Sequence, residues 1–448
     1  MRHRAQRTKL AKILGAIAGL ALGGGLATTI PHAAAATITI ATVNNSQMVE
    51  MQKLSAQWEK ETGNKINWVV LEENVLRQRV TTDIATHGGQ FDILTIGSYE
   101  TPIWGKQNWL VSLDGFPSSY DMNDVFPSVR EALSANGKLY AVPFYAESSF
   151  TFYRKDLFDK AGFTMPAQPK YDEIEKFAAR LTDRAHEQYG ICLRGKPGWG
   201  ENMAYLDTLV NTFGGRWFDE SWKPQLDTPA WHEAVNFYID MMHKYGPPGA
   251  NSNGFNENQA LFATGHCAMW IDATSGAGLL YDRKQSQVAD KVSFTAAPIA
   301  KVPNGAHWFW SWALAIPSTS KNVAVAKSFL QWSTSREYVE LVGKTDGWTV
   351  VPPGTRQSTY ENPNYLKAAP FATFVKNAIM TADLNHPTAQ KVPYTGIQYV
   401  AIPEFQAIGA TVGQMIAGAL TGQMSVDAAL KQAQASVAAT MQQAGYTQ

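Results

Sequence analysis

The chain has few charged residues, only two cysteines and no excess of positive charge. Charged residues make up 17% of its 448 residues, and Lys plus Arg and Asp plus Glu each number 38. Five basic residues lie within the first 12 positions, so the remainder carries 33 − 38 = −5 formal charges. Nucleic acids and anionic membranes are bound by clustered basic surfaces. We therefore expect neither as a partner.

Motifs of common nucleotide-dependent and metal-dependent enzymes are also missing. Gly343 and Lys344 lack the preceding glycine of a phosphate-binding loop, because Tyr338 stands at that position. The nine histidines show no zinc-ligand spacing, and no GxSxG nucleophile motif occurs. We therefore expect no cofactor and no metal ion. The paired carboxylates of a glycoside hydrolase need no fixed spacing, so that class stays open.

Long apolar runs are absent after the N-terminal segment. Residues 1–36 combine basic positions, an uncharged apolar run at 13–26 and small residues ending at Ala36. This order is typical of a secretory signal peptide, and the run is shorter than the roughly 20 residues that span a bilayer. We predict cleavage close to Ala36. Because no cysteine lies near that junction, we expect a periplasmic protein without a lipid anchor.

Export changes how the two cysteines are interpreted, because thiols can pair in an oxidising compartment. Cys192 and Cys267 lie in short strand-like stretches, YGICLRG and GHCAMWID. They form a disulfide if their Cα atoms come within about 7 Å of each other. The alternative is a pair of buried, small apolar side chains.

Strand and helix patterns alternate after residue 36. Strand-like runs at 37–43, 66–71 and 91–96 are separated by an apolar helix pattern and by a polar helix at 75–86. Such a series predicts a mostly parallel sheet covered on both faces, with ligands at the carboxyl ends of the strands. Further strands are predicted at 266–271, 292–297 and 312–316.

Several longer stretches carry a more specific signal. They are the strand-like run at 37–43, directly after the predicted signal peptide, and the stretches FDILTIGSYE, GKLYAVPFYAESSFTFYRKDLFDKAG and NQALFATGHCAMWIDATS. Together they resemble the solute-binding proteins that supply ATP-binding-cassette (ABC) importers of sugars. TVNNSQMVEMQ, EENVLRQRVTTDIATHGGQFD and SYETPIWGKQNWL further resemble the branch of that family that binds mannitol, sorbitol and related linear polyols.

The resemblance implies an α/β periplasmic-binding-protein fold of two lobes joined by hinge crossings, each lobe a mostly parallel sheet flanked by helices. We expect lobe one at 37–147 plus 307–350, and lobe two at 148–306 plus 351–448. The family closes such lobes over one ligand and presents the closed form to a membrane permease. We expect a monomer with a polyol or small sugar as its ligand.

A polyol or sugar ligand needs carboxylates, amides and arginine for its hydroxyls and aromatic faces for its C–H surfaces. Asn44 and Asn45 follow the first strand, although they are also suited to cap the next helix. Tyr145 and Glu147 occupy the PFYAESS crossing, where the family commonly places a ligand-binding acid. We predict all four as ligand contacts.

The loops after the other early strands give further candidates. Ser98, Tyr99 and Glu100 follow the third strand and match the family's next binding loop, although Ser98 could belong only to a turn. Glu72 and Glu73 follow the second strand. We interpret these adjacent acids as partners of the positive helix N-terminus and not as ligand contacts.

Candidates from the second lobe lie in two stretches. Trp199 and Asn202 belong to the glycine-rich loop PGWGENMA, where the tryptophan either lines the cleft or packs on its own lobe. Trp270 and Asp272 leave the end of a strand in MWIDATS. The family often stacks a tryptophan on sugar at this point, and the acid beside it supplies a hydrogen-bond acceptor.

Three tryptophans alternate along HWFWSW, at Trp308, Trp310 and Trp312. In a strand all three would face the same side. We assign Trp308 and Trp310 to the cleft and Trp312, which precedes the apolar ALAI run, to the core. Trp348 and Arg356 are candidates from the late part of the chain.

The resulting hypothesis is a periplasmic, non-enzymatic protein that captures mannitol, sorbitol, arabitol or a small sugar for an ABC importer. A competing hypothesis is a secreted glycoside-processing enzyme with Glu147 and Asp272 as acid and base. Those two carboxyl groups would then lie about 5 to 10 Å apart across the bond to be cleaved. A third is the ligand-capturing subunit of a sensor, with the same site but a receptor as partner.

Overall fold

The structure is a computed structural model that describes residues 35–447, so nearly all of the predicted signal peptide lies outside the described residues. From Ala36 onward the chain alternates between strands and helices. The strands are β1 Thr37–Val43, β2 Lys65–Leu71, β3 Ile93–Gly97, β4 Ser134–Ala135, β5 Lys138–Leu139, β6 Ala141–Glu147, β7 Ser149–Arg154, β8 Met269–Ala273, β9 Val292–Ala296 and β10 Trp310–Ala315.

The helices carry most of the chain between and after these strands. They are α1 Ser46–Thr62, α2 Glu73–Ala85, α3 Glu100–Lys106, α4 Pro127–Ala132, α5 Lys155–Ala161, α6 Tyr171–Leu181, α7 Asn202–Thr212, α8 Pro229–Tyr245, α9 Phe255–Ala263, α10 Ala277–Tyr281, α11 Val323–Ser333, α12 Arg336–Thr345, α13 Pro363–Ala368, α14 Ala372–Thr381, α15 Phe405–Leu420 and α16 Val426–Gln443. None of them is both long and apolar enough to span a membrane, within residues 35–447.

The larger sheet has the order β2-β1-β3-β10-β6. β1 pairs in parallel with β2 and β3, while β10 runs antiparallel to both β3 and β6. Four of its five strands therefore point the same way. The predicted strand–helix alternation at the start of the chain produces this sheet, and the carboxyl ends of β1, β2 and β3 meet along one edge.

The smaller sheet has the order β8-β7-β9, and both of its strand pairs are antiparallel. The expected mostly parallel strand direction therefore holds for the larger sheet, in which four of five strands point the same way, and is wrong for these three strands. The alternation rule applies to strands joined by a single crossover helix. Here β7 follows β6 after one residue, Ser148, and several helices intervene before β8. Parallel pairing next to β8 is limited to single bridges such as Cys192 with Trp270.

Helix α1 is fixed at both ends and along one face. The Asn45 side chain accepts a 3.0 Å hydrogen bond from the Met48 backbone N–H, as an N-cap does. Gly63 ends the helix at φ +74°, a conformation that glycine adopts without strain. Met48, Met51 and Trp58 are buried. This packing holds the loop after β1 at the edge of the larger sheet.

A disulfide joins Cys192 to Cys267, with the two Cα atoms 5.9 Å apart. It holds the stretch before Arg194 beside β8. Single backbone bridges in that stretch extend the smaller sheet. The cross-link therefore positions the chain that enters the candidate site.

Candidate ligand-binding site

A cavity of about 80 Å³ lies where the carboxyl ends of β1, β2 and β6 meet the chain between Arg194 and Ala204. One water molecule needs roughly 10–15 Å³, so the cavity accepts a small molecule. Its charged lining residues are Glu72, Glu73, Glu147, Glu201, Glu257, Arg77, Arg194 and Lys196. No cluster of metal-binding side chains occurs in the described part of the chain.

Arg194 is held by a carboxylate behind the cavity wall. Its Nε donates to both oxygens of Asp272 at 3.1 and 2.9 Å, and its Nη2 donates to Oδ1 at 2.6 Å. Nη1 donates to the Gly200 carbonyl at 2.7 Å. The guanidinium is therefore fixed in place and electrically paired, and the same bonds use both oxygens of Asp272.

Arg77 from α2 is paired in a similar way. Its Nε and Nη2 donate to Glu73 Oε1 at 3.0 and 2.8 Å, and Nη1 donates to Glu100 Oε1 at 2.7 Å. The guanidinium lies 3.9 Å from the centre of the Trp199 ring and 5.0 Å from that of Trp310. It therefore connects α2 to the aromatic wall through cation–π contacts.

Glu147, the last residue of β6, is a buried acid in this wall. Ser275 donates a hydrogen bond to its Oε2. Burial raises the pKa of Glu147 to about 8, although Ser275 and Arg194 oppose the rise. The carboxyl group is therefore largely neutral at pH 7 and can donate as well as accept a hydrogen bond.

Glu201 is the second buried acid of the cavity. Its nearest cations, Arg194 and Lys196, lie 3.8 and 3.9 Å away, too far for a good hydrogen bond. Burial and the neighbouring Glu73 raise the pKa of Glu201. Its Oε2 has no hydrogen-bond partner among residues 35–447.

Three other buried polar atoms on cavity-lining residues share this lack of a partner in the described chain. They are the indole Nε1 of Trp199, the indole Nε1 of Trp308 and the amide Oε1 of Gln398. With Glu201 Oε2, the set contains two N–H donors and two oxygen acceptors. Such atoms are normally satisfied in native proteins, and these four belong to residues that line the cavity.

Aromatic rings close the remaining walls. Trp310 and Trp312 on β10 contact each other edge to face, with ring centres 5.5 Å apart, and both line the cavity with Trp308. A Cβ at Gly97 would come within 1.9 Å of the Trp310 ring, so a larger residue at 97 would displace that wall. The assignment of Trp312 to the core alone is therefore wrong, because the ring is buried and also faces the cavity.

Comparison with known proteins shows the family to which this chain belongs. The sequence profile of bacterial extracellular solute-binding proteins matches residues 44–340. The chain belongs to this family. A mannitol-binding protein from Pseudomonas aeruginosa is 55% identical over 413 residues, which cover 92% of this chain and 94% of that protein. The predicted family resemblance is confirmed.

Solved structures agree with the fold. The crystal structure of an ABC transporter solute-binding protein from Agrobacterium vitis with bound D-mannitol has a TM-score of 0.91 and 56% identity, covering 92% of this chain and 100% of that one. A solute-binding protein from Agrobacterium radiobacter in complex with ribitol has a TM-score of 0.80 and 25% identity, covering 90% and 98%. The predicted periplasmic-binding-protein fold is confirmed, with the strand directions of the smaller sheet corrected as above.

The cavity of this solute-binding protein brings together seven of the predicted ligand residues: Asn44, Asn45, Tyr145, Glu147, Trp199, Trp308 and Trp310. Asn45 both caps α1 and donates a 2.7 Å hydrogen bond from its Nδ2 to the Tyr145 hydroxyl. The capping and cavity-lining interpretations of Asn45 are therefore compatible.

The loop after β3 does not reach the cavity. Ser98 is held next to β10 through its backbone N–H and the Ser311 carbonyl, and Tyr99 donates its hydroxyl to the Ile402 carbonyl at 2.9 Å. Glu100 accepts from Arg77 and from the Gly97 N–H. These three side chains support the wall from behind, and their placement on the ligand is corrected accordingly.

Trp270 and Asp272 on β8 and Asn202 at the start of α7 make contacts away from the cavity. Trp270 is fully buried and stacks on Phe152 with ring centres 4.9 Å apart. Asp272 is bound by Arg194 and by the Trp270 indole N–H. Asn202 donates to the Gly413 carbonyl and so joins the start of α7 to α15. None of the three lines the cavity.

The two late candidates lie away from the cavity as well. The Trp348 ring packs so closely on α12 that a Cβ at Gly343 would come within 2.6 Å of it. Arg356 is buried and donates to the Thr334 carbonyl and to Asp124 Oδ2. Both residues stabilise the scaffold.

Only Glu147 among the eight charged lining residues is a predicted ligand contact. Glu72 and Glu73, interpreted above as partners of the helix N-terminus, also line the cavity, and the sequence did not point to the other five: Arg77, Arg194, Lys196, Glu201 and Glu257. A signal existed for Glu73 and Arg77, because a glutamate four residues before an arginine forms a helical ion pair. Glu201 lies two residues after the predicted Trp199 in the same loop. Arg194 and Lys196 gave no local signal, because the disulfide and β8 determine their position.

Proposed function

We propose that this protein captures a linear polyol in the periplasm, with mannitol as the first candidate, and delivers it to the permease of an ABC importer. Membership of the extracellular solute-binding family supports the transport role. The 55% identity to a mannitol-binding protein and the fold shared with a mannitol-bound solute-binding protein support the choice of ligand.

The four unpartnered polar atoms on the cavity walls carry the proposal. A hydroxyl group both donates and accepts, so a polyhydroxylated chain can serve the two indole N–H groups and the two acceptor oxygens at once. Leaving a buried polar atom unsatisfied costs about 1–3 kcal/mol. Satisfying all four is therefore comparable to the roughly 8 kcal/mol of a micromolar complex.

The charges of the site favour a neutral ligand. Arg77 and Arg194 each have carboxylate partners within hydrogen-bond distance, and Lys196 is paired with Glu72 at 2.7 Å. Burial raises the pKa of Glu147 and that of Glu201 toward the neutral form. An anionic ligand would compete with these internal pairs, whereas a polyol needs only hydrogen bonds from them.

The environment of Asp272 argues against the glycoside-processing alternative. Both carboxylate oxygens accept hydrogen bonds from Arg194, and one also accepts from the Trp270 indole. A general acid or base must reach the substrate or its water with a free oxygen or proton. We therefore propose a binding protein and not an enzyme.

We propose that the lobes comprise 37–147 plus 307–350 and 148–306 plus 351–448, and that the bound form is closed. Asn256 Nδ2 donates to the Asn44 carbonyl at 2.9 Å, and Gln47 Nε2 donates to the Ser275 carbonyl at 3.1 Å. With the Lys196–Glu72 pair, these contacts join the two parts of the chain around the cavity. Ligand would shift the population toward this arrangement.

Calorimetric titration of the mature protein tests the proposal. The protein is unfolded and refolded to remove carried-over ligand, then titrated with mannitol, sorbitol, arabitol, ribitol, glucose and maltose. We expect micromolar or tighter binding of a polyol and much weaker binding of the two sugars. Binding should be lost in Glu147→Ala, which removes the carboxyl group from the cavity wall, and retained in the exposed control Glu131→Ala. Absence of polyol binding, or turnover of an aryl glycoside, would overturn the proposal.

A further inference from the structure

A second, larger cavity of about 600 Å³ adjoins the candidate ligand site. It lies between α2, α3 and α15 and the loop at 197–199. The linings of the two cavities share only two residues of the described chain, Arg77 and Trp199. This stacked pair therefore forms the partition between them.

The chemistry of the second cavity suits a neutral, hydroxylated group. Its polar lining includes the amides of Gln78, Gln107, Gln406 and Gln414, and Trp104 and Trp109 supply aromatic faces. Arg77 is its only charged lining residue, among those described, and is already paired with Glu73 and Glu100. Amides and aromatic rings are the groups that a sugar ring binds.

The partition is held firmly in place. Trp199 lies 3.9 Å from the Arg77 guanidinium on one side, and on the other a Cβ at Gly409 would come within 2.7 Å of the Trp199 Cβ. A Cβ at Gly200 would come within 2.4 Å of Glu73 Oε1. The loop therefore packs against α2 and α15 with no room to swing aside.

We propose that Arg77 and Trp199 set the length of the ligand by closing the polyol cavity against the second one. This inference rests on the proposed function, since it concerns which hydroxylated ligands fit. With the Trp199 ring in place, the site accepts a single open-chain polyol. Without it, the two cavities join and admit a polyol that carries a sugar ring on a terminal hydroxyl.

The test compares mannitol with a glucosyl-mannitol, substituted on a terminal hydroxyl, by calorimetry on wild type and Trp199→Ala. Mannitol affinity should fall in the variant, because Trp199 also lines the first cavity, so the measured quantity is the ratio of the two affinities. We expect wild type to reject glucosyl-mannitol and Trp199→Ala to shift the ratio toward it by about tenfold or more. A folded variant that binds mannitol with an unchanged ratio would overturn the proposal.

A second substitution tests whether the improved relative affinity for glucosyl-mannitol depends on the second cavity. Ala410 on α15 lines the second cavity and not the first, so Ala410→Trp in the Trp199→Ala background should occupy part of the second cavity and narrow the space for a sugar ring. The ratio should return toward the wild-type value, and a gain that persists would contradict the proposed route. Trp199→Phe, which keeps more of the packing, should give a smaller shift in the same direction and replaces Trp199→Ala if that variant does not fold.

Failure of the proposed function is distinguishable from failure of the partition. Wild type that binds no polyol refutes the function alone. The crystal structure of Trp199→Ala in the closed arrangement described here then decides the partition, since the two cavities should be continuous in it. A wall that stays closed in that structure would refute the inference.

Discussion

Replacing Glu147 with glutamine should remove a pH dependence from the stability of the ligand-free protein. Burial raises the pKa of Glu147 to about 8 in the folded chain, whereas an unfolded glutamate titrates near about 4.3. Because the folded pKa is the higher one, the stabilising contribution is complete below the unfolded pKa. It is lost as the pH rises through the folded pKa.

The magnitude follows from the two pKa values. Between them, the free energy of unfolding falls by about 1.4 kcal/mol per pH unit from this group alone. Over the whole window the loss reaches at most about 5 kcal/mol. Glutamine keeps the shape and the hydrogen-bonding capacity of the neutral acid and cannot ionise, so Glu147→Gln should become more stable than wild type as the pH rises.

Urea unfolding between about pH 5 and about pH 9 measures this difference. Other buried acids such as Glu201 titrate in both proteins, so subtracting the two curves isolates Glu147. The exposed Glu131→Gln should run parallel to wild type throughout. If the Glu147→Gln curve also runs parallel to wild type, Glu147 is ionised in the folded protein and the argument from burial fails.

Three further predictions concern the supports of the site. Replacing Cys192 and Cys267 with serine should lower the free energy of unfolding by about 4 kcal/mol, because the bridge closes a loop of 75 residues; urea unfolding checks this, and reduced wild type should match the variant. Asn45→Ala should cost about 1 kcal/mol in stability and also weaken polyol binding, whereas Ser425→Ala, which removes the N-cap of α16, should cost a similar amount and leave calorimetric binding unchanged. Asp272→Asn should lower the free energy of unfolding by about 3–5 kcal/mol, because Arg194 then lacks its buried carboxylate partner. Urea unfolding measures this, and an unchanged free energy of unfolding would contradict the ion pair between Arg194 and Asp272.

The strands and helices near the start of the chain could be predicted because their signals are local. A β-branched run gave β1 with its observed bounds, and the Met48, Met51 and Trp58 pattern gave the buried face of α1. The strand directions in the smaller sheet could not be predicted. They depend on how several helices return the chain to β7, and no local pattern encodes that path.

The candidate site likewise contains residues that could be predicted from the sequence and residues whose role depends on distant contacts. Asn45 follows β1, so the rule for strand ends found it, whereas Tyr145 and Glu147, at the end of β6, were predicted from the family resemblance of the PFYAESS crossing. Trp270 and Asp272 had the right residue types for a ligand, but Arg194 takes the carboxylate first. Which buried charges pair with one another depends on contacts between residues 78 positions apart.

The buried polar atoms also explain why closure should require the ligand. If the lobes open as proposed, water would reach the indole N–H groups of Trp199 and Trp308 and the oxygens of Glu201 and Gln398. In the present arrangement these atoms have no partner among residues 35–447, at about 1–3 kcal/mol each. Closing without a ligand therefore costs roughly 4–12 kcal/mol from these four groups. Water trapped in the cavity lowers this cost where it forms hydrogen bonds with them. A ligand that supplies the missing hydrogen bonds removes this cost only in the closed form, which is the differential affinity that a population shift needs.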